Sequence, residues 1–420
     1  MAREENGPKR LIMRLFGKLP EIRTMMIRQQ SCLNSEGKEG VEDEGDAKHN
    51  LRDQAYQFLE YPVEKRGKRT WSGKARNASD GRLYFIKYAR QGDENALFLL
   101  RREAKFRISH RSIMKVYGGY QGTLRMGMRG EEVSFVLSEW IDGYSLPEYL
   151  ERPQIKRLRK EAPEEFNEKM LGQIRQLMSA MEAYMGTGGR EPFVHRDLKP
   201  MNLLVRREDE SLVLCDFDWS HCADNGTGQR PEYISGTAGY MDPAAAYSRE
   251  TDIQLDIYSL GQVMLYWLIG QDYYSHDEKI DYLHKETLAH DLDIRRIPQQ
   301  YRTEKYKPLL AIIRRLIARR GERYESMGQI IQDYDAFIKR YFQTGNKEAG
   351  DPLSLLKPRE LSLASVAYES PYGGYAIQNL CEGQLIDIRW GRQVILSLYM
   401  SGERLTLSPI LILRRRRQAA

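Results

Sequence analysis

The sequence predicts an α+β protein of two lobes, a β-rich one over residues 51–140 and a helical one over 141–342, with a small β module over 358–413. Three observations lead there. Arg82–Ala89, Ile113–Tyr120 and Val133–Trp140 are short apolar and aromatic runs of strand character, with one helical segment, Glu94 to Ile108, among them. Beyond Ser145 apolar residues recur every three or four positions, as in Phe166, Met170, Ile174, Leu177, Met181 and Tyr184, which is the buried stripe of a long helix. Near the end, Gln384–Trp390, Gln393–Met400 and Arg404–Ile412 alternate like strands, separated by Gly391-Arg392 and Ser401-Gly402-Glu403.

Residues 1–50 begin basic and end acidic. Six cationic residues against Glu21 lie between Lys9 and Arg28, interleaved with Leu11, Ile12, Met13, Leu15, Phe16, Ile22 and Ile27. The segment is expected to be a disordered tail; the other reading is an amphipathic stretch that meets a partner or a membrane surface. From Ser35 to Asn50 the composition is that of a linker, and folding is expected to start near Leu51. In the helical lobe, Thr251–Gly270, Lys307–Arg319 and Ser326–Phe342 are further helices, with Ser326 as N-cap of the last. Residues 343–357 read as a second linker and 414–420 as a basic tail. There is no internal repeat.

The formal charge is 65 − 59 = +6, and much of it sits at the two ends, so a specific nucleic-acid-binding core is not expected. Cys32, Cys215, Cys222 and Cys381 are scattered without a CxxC pair, which argues against a disulfide framework or a zinc site and for a reducing, cytoplasmic home. No apolar run approaches the ~20 residues of a membrane span. The first apolar stretch, broken by Arg14, Lys18 and Pro20, is not a secretory signal.

The chemistry concentrates in His195-Arg196-Asp197-Leu198-Lys199-Pro200-Met201-Asn202, a polar loop between the apolar runs Phe193-Val194 and Leu203-Leu204-Val205. Asp197 can accept a proton from an attacking hydroxyl, Lys199 can neutralise a phosphate oxygen, and Asn202 can hold a divalent metal. A second carboxylate, Asp216, follows in Leu-Val-Leu-Cys-Asp-Phe-Asp. Phosphoryl transfer needs mainly positioning, metal and charge.

This order of groups resembles the eukaryotic-type Ser/Thr protein kinases, over roughly Tyr61 to Tyr341. The resemblance implies a two-lobed kinase-like fold, ATP and Mg²⁺ as cofactors, and a protein substrate. It makes Asp197 the base, Lys199 the γ-phosphate contact, and Asn202 and Asp216 the metal ligands. It makes Lys87 the lysine on the α- and β-phosphates and Glu103 the helix carboxylate that holds it. Ser138, Glu139, Trp140 and Ile141 would present backbone groups to adenine. Lys199 with Gly236-Thr237 matches kinases acting on Ser and Thr, and Gly236–Pro243 resembles the segment that docks the peptide. Asp256 matches the buried aspartate that braces the catalytic loop. Arg196 is expected either to pair with a phosphate on the activation segment, where Thr227 and Ser235 are available, or to cap a local carbonyl.

Four positions depart from the family pattern. The stretch before Lys87 has Gly67, Gly73 and Gly81 but no GxGxxG. Phe85 replaces the alanine expected against adenine, Asp218 replaces the metal-loop glycine, and Ala244 replaces the glutamate expected to pair with Arg323. The phosphate end is intact and the nucleotide cradle is eroded. An active Ser/Thr kinase is the favoured reading; a pseudokinase acting as a binding or allosteric module is the alternative. A small-molecule kinase, suggested by Asp-Phe-Asp-Trp, is disfavoured by the peptide-docking segment. The N-terminal tail and the C-terminal module are candidate sites for a regulatory partner.

Overall fold

The computed structural model describes residues 25–32, 54–65, 70–106, 108–126, 128–186, 193–222, 236–243, 252–282 and 290–345, and seven strands between 357 and 414. The chain divides into two compact units. The first is residues 1–109, 114–141 and 216–220; the second is 110–113, 142–215 and 221–420.

The first unit is a seven-stranded antiparallel sheet and one helix. Its strands are β1 (Met25–Cys32), β2 (Ala55–Phe58), β3 (Val63–Lys65), β4 (Thr70–Asn77), β5 (Leu83–Arg90), β6 (Val116–Met126) and β7 (Arg129–Glu139), and its helix is α1 (Glu94–Lys105). The spatial order is β2-β1-β6-β7-β5-β4-β3, and β2 also pairs with β4, so six strands pair in a closed ring. Period-two alternation sorts the side chains. Ile86 and Tyr88 of β5 join Ile27, Tyr56, Phe58, Phe135 and Leu137 in one core. Ala89 joins Ala96, Leu97 and Leu100 of α1, with Val116 and Val136, in a second. Lys87 therefore shares its face with Ala89 and Phe85 and looks toward the helix. Asp93 caps α1, accepting a hydrogen bond from the Ala96 N–H.

One boundary has to be corrected. Met25–Cys32 lies within the segment expected to be a disordered tail, yet it is a full member of this sheet, between β2 and β6. Its Met25, Ile27 and Gln29 are buried in alternation with more exposed neighbours. The basic composition hid this period-two pattern. Its partner strand is shaped for it: a Cβ added at Gly122 would lie 2.2 Å from the Arg28 carbonyl oxygen, so only glycine lets β1 lie this close.

The second unit is mostly helical. Helices α2 (Leu146–Glu151), α3 (Pro153–Glu161), α4 (Pro163–Tyr184), α5 (Ile253–Ile269), α6 (His276–Tyr282), α7 (Lys307–Ile317) and α8 (Met327–Gly345) surround short strands β8 (Gly143–Ser145), β9 (Phe193–Val194), β10 (Leu203–Arg206), β11 (Leu212–Leu214) and β12 (His221–Cys222). The expected apolar stripe of α4 is buried throughout. Helix α5 is buried on nearly all sides, and Gly261 admits α7, because a Cβ there would meet Ile317 at 2.6 Å. Gly270 ends α5 in the left-handed region at φ 87°. Ser326 accepts a hydrogen bond from the Gln329 N–H, as expected of an N-cap. Among the described residues, no helix is long and apolar enough to cross a membrane.

Toward the C-terminus, β13 (Lys357–Ser362), β14 (Ser365–Glu369) and β15 (Tyr375–Gln378) form an antiparallel sheet, and β16 (Leu385–Trp390) pairs with β17 (Gln393–Tyr399). The run from Arg404 to Ile412, expected as one strand, contributes two, β18 (Arg404–Thr406) and β19 (Ile412–Arg414), which pair antiparallel. Pro409 lies between them and has no N–H for a ladder. Gly67, Thr227, Ser235, Ala244, the linker core at 346–356 and the tail at 415–420 lie outside the described residues.

Candidate active site

The catalytic-type loop leaves β9, passes through His195–Lys199 and a 3₁₀ turn at Pro200–Asn202, and enters β10, which pairs with β11. Arg196 stands at φ 66°, a left-handed conformation unusual for a side-chain-bearing residue. What holds it is Asp256 at the start of α5. Its carboxylate accepts the His195 N–H at 2.6 Å, the Arg196 N–H at 2.9 Å and the Tyr184 hydroxyl at 2.9 Å. Burial raises the Asp256 carboxyl above the usual range, against the pull of these donors. The brace expected of Asp256 is therefore present, and Tyr184, read in the sequence only as part of a core stripe, is its third partner.

His195 ties the loop to the next strand. Its Nδ1 accepts the Asp197 N–H at 3.3 Å, so the proton belongs on Nε2, which donates to the Cys215 carbonyl at 3.1 Å. At the tip, Lys199 Nζ donates to Asp197 Oδ2 at 2.7 Å and to Thr237 Oγ1 at 2.8 Å, while Thr237 donates to Asp197 Oδ1 at 2.8 Å. Asn202 turns its amide nitrogen to the Asp197 carbonyl at 2.8 Å. Asp197, Lys199 and Asn202 are thus brought together, with Thr237 from the docking segment as a fourth member. Just beyond that segment Arg323 finds a partner that the sequence did not reveal. It donates to Asp242 Oδ2 at 2.6 Å, two positions before Ala244.

In the first unit Lys87, Glu103 and Asp216 converge. Lys87 Nζ lies 2.5 Å from Glu103 Oε2 and 2.8 Å from Asp216 Oδ1, with Asp218 Oδ2 at 3.7 Å. Burial alone would push the ammonium down; Asp216, Glu103 and Asp218 outweigh it and hold Lys87 well above the ordinary lysine range. Burial raises the Glu103 carboxyl, with Lys87 pulling the other way and Asp216 and Asp218 reinforcing the rise. Asp216 adopts φ 70°, while Asp218 does not need the left-handed region that glycine would permit there. Phe217 between them stacks on Phe106 at the end of α1.

The nucleotide-end residues are more spread out. Phe85 is half-buried and stands opposite Ser138 in the β5–β7 register. Glu139 closes β7, and its N–H is committed to the Lys115 carbonyl at 2.8 Å; Ile141, two residues on, is buried. Gly73 packs inward, where a Cβ would press on the Phe58 ring at 3.2 Å, and Gly81 serves a turn at φ 72°. Neither of these glycines serves as a phosphate cradle.

The family model described as protein kinase domain matches residues 66–334. A probable serine/threonine-protein kinase of Clostridium acetobutylicum is 26% identical over 259 residues, 61% of this chain and 36% of that protein. The serine/threonine-protein kinase pkn3 of Myxococcus xanthus is 28% identical over 209 residues, 47% of this chain and 34% of that protein. The putative wall-associated receptor kinase-like 16 of Arabidopsis thaliana is 29% identical over 197 residues, covering 46% of this chain and 41% of its own length. The chain therefore spans less than half the length of these curated relatives. The family model covers more than half of the chain, in the stretch that holds both charged clusters, and on that match the chain belongs to the protein kinase domain family.

Proposed function

We propose that the chain is a Ser/Thr protein kinase that moves the γ-phosphoryl group of ATP to protein hydroxyls. The observation that carries this reading is the closed set of hydrogen bonds joining Asp197, Lys199 and Thr237. Asp197 takes the proton of the attacking hydroxyl as its oxygen bonds to phosphorus and the bond to the β-phosphate oxygen breaks. Lys199 stabilises charge on the transferred group, and Lys87, aligned by Glu103, binds the α- and β-phosphates. For magnesium, oxygen donors suit a hard cation: Asn202 has turned its nitrogen inward, leaving its oxygen end for the metal, and Asp216 adds a carboxylate. When bound, Mg²⁺ neutralises phosphate charge. On the adenine side, Glu139 has its carbonyl to offer, since its N–H is used, and Ile141 follows on the same segment. Its setting is a reducing, cytoplasmic one, and its regulatory partner would meet residues outside the kinase segment.

The test is phosphate incorporation from ATP and Mg²⁺ into a protein substrate. Asp197→Asn is expected to lower turnover by about two orders of magnitude or more while nucleotide binding persists. Asp216→Ala and Lys87→Met are expected to abolish transfer. Activity that survives Asp216→Ala would remove this reading. The second reading, a pseudokinase acting by binding, is favoured by Phe85 on the Lys87 face. Phe85→Ala separates the two: restored ATP binding in a chain that otherwise binds none supports the pseudokinase.

A further inference from the structure

The Lys87 cluster holds more acid than phosphoryl transfer needs. Glu103 and Asp216 each contact the ammonium, and Asp218 adds a third carboxylate at 3.7 Å. All three sit out of water: their side chains are 1%, 11% and 1% exposed. The other cation near Asp218 is Arg102 of α1, whose guanidinium rests on the Phe98 ring. The tally is therefore two cations, Lys87 and Arg102, against three carboxylates. Glycine at position 218 would leave the same cluster balanced. At low effective dielectric, with no solvent to screen it, the surplus charge acts on any anion that approaches Lys87.

We propose that Asp218 makes nucleotide binding conditional on a divalent cation: its surplus charge repels a bare triphosphate and admits the metal complex. Building on the kinase reading above, this makes Asp218 a specificity-determining residue for the form of the nucleotide. Lys87 is already shared among carboxylates, so phosphates must compete for it. A bare triphosphate brings several negative charges to that competition and no compensation. A divalent cation bound to the phosphates offsets both their charge and the surplus of the cluster. The rest of the Lys87 surroundings is compatible with this. Arg102 is half a turn of attention away from the phosphate chemistry, resting on Phe98, and so leaves Asp218 only partly compensated.

The experiment is calorimetric titration of the full chain with ATP, once with Mg²⁺ and once with EDTA at matched ionic strength. The native chain is expected to bind ATP with Mg²⁺ and about a hundredfold more weakly without it. Asp218→Asn is expected to raise metal-free affinity about tenfold, with a gain under about threefold when Mg²⁺ is present. Asp218→Gly, which carries the family residue at a position free of steric demand, should do the same. A measurement on the native chain alone gives a second check: the metal-free penalty should grow from AMP through ADP to ATP. The inference is overturned if Mg-ATP binds but the ratio of the two affinities is unchanged in both variants, or if the native penalty is flat along the AMP, ADP, ATP series. If no form of the chain binds nucleotide under either condition, the kinase reading falls as well, and that outcome is distinct from the first two.

Discussion

Lys87 in the first unit and Asp256 in the second are both fully buried ions, and they are neutralised in opposite ways. Lys87 is matched by charge, against Glu103, Asp216 and Asp218. Asp256 is matched by neutral donors, two backbone N–H groups and one phenol. A charge held by charges depends on the count of its partners. One held by oriented dipoles depends on their geometry, and it in turn fixes that geometry. The first arrangement suits a site whose partners must be exchanged for a ligand; the second suits a scaffold that must not move.

The largest effect expected from breaking this contrast is at Lys87. Lys87→Met leaves three buried carboxylates around an apolar side chain, and a loss of about 3–5 kcal/mol is expected in urea unfolding of the ligand-free chain. Adding Asp218→Asn to that variant should recover part of the loss. If Lys87→Met is as stable as the native chain, the carboxylates are not held by charge and the comparison fails.

Asp256→Ala comes next. It strands the His195 and Arg196 N–H groups and the Tyr184 hydroxyl without their acceptor, at about 3 kcal/mol. Asp256→Asn should be little better, because its amide N–H₂ would face donors. A neutral site gives the control for charge. Gly122→Ala puts a methyl group against the Arg28 carbonyl, and about 2 kcal/mol is expected as β1 is forced off β6. Protease sensitivity confined to the β1 segment in that variant would locate the damage there.

The smallest effect belongs to an exposed pair. Glu278 is held down from the ordinary 4.5 to about 2, first by its hydrogen bond from Arg296 and then by the Ser275 N–H. Its folded pKa is depressed, so its contribution is present above pH 4.5 and is lost as pH falls toward 2. Solvent screens this pair, and Glu278→Gln should cost less than about 1 kcal/mol at neutral pH. The cost should vanish near pH 2 in denaturation curves. A larger cost would mean that surface charge in this unit counts as buried charge does.

The sequence by itself determined whatever is local. Asp197, Lys199 and Asn202 are legible because a single loop carries them, bounded by apolar strands. The helices are legible because one face of each is apolar at a period of three to four, as in α4. Asp256 could be placed because its neighbours repeat a familiar short pattern. Only the tertiary structure decided the rest, because the deciding partner is far along the chain. Composition alone reads Met25–Cys32 as tail, and it becomes a strand because β6 offers an edge with Gly122 opposite Gln29. Arg323 chooses Asp242, since the fold brings that carboxylate within 2.6 Å. Asp218 looks in the sequence like a lost glycine. In the fold its carboxylate is buried 3.7 Å from Lys87, and burial, by removing solvent screening, turns a substitution into a charge that the site must answer.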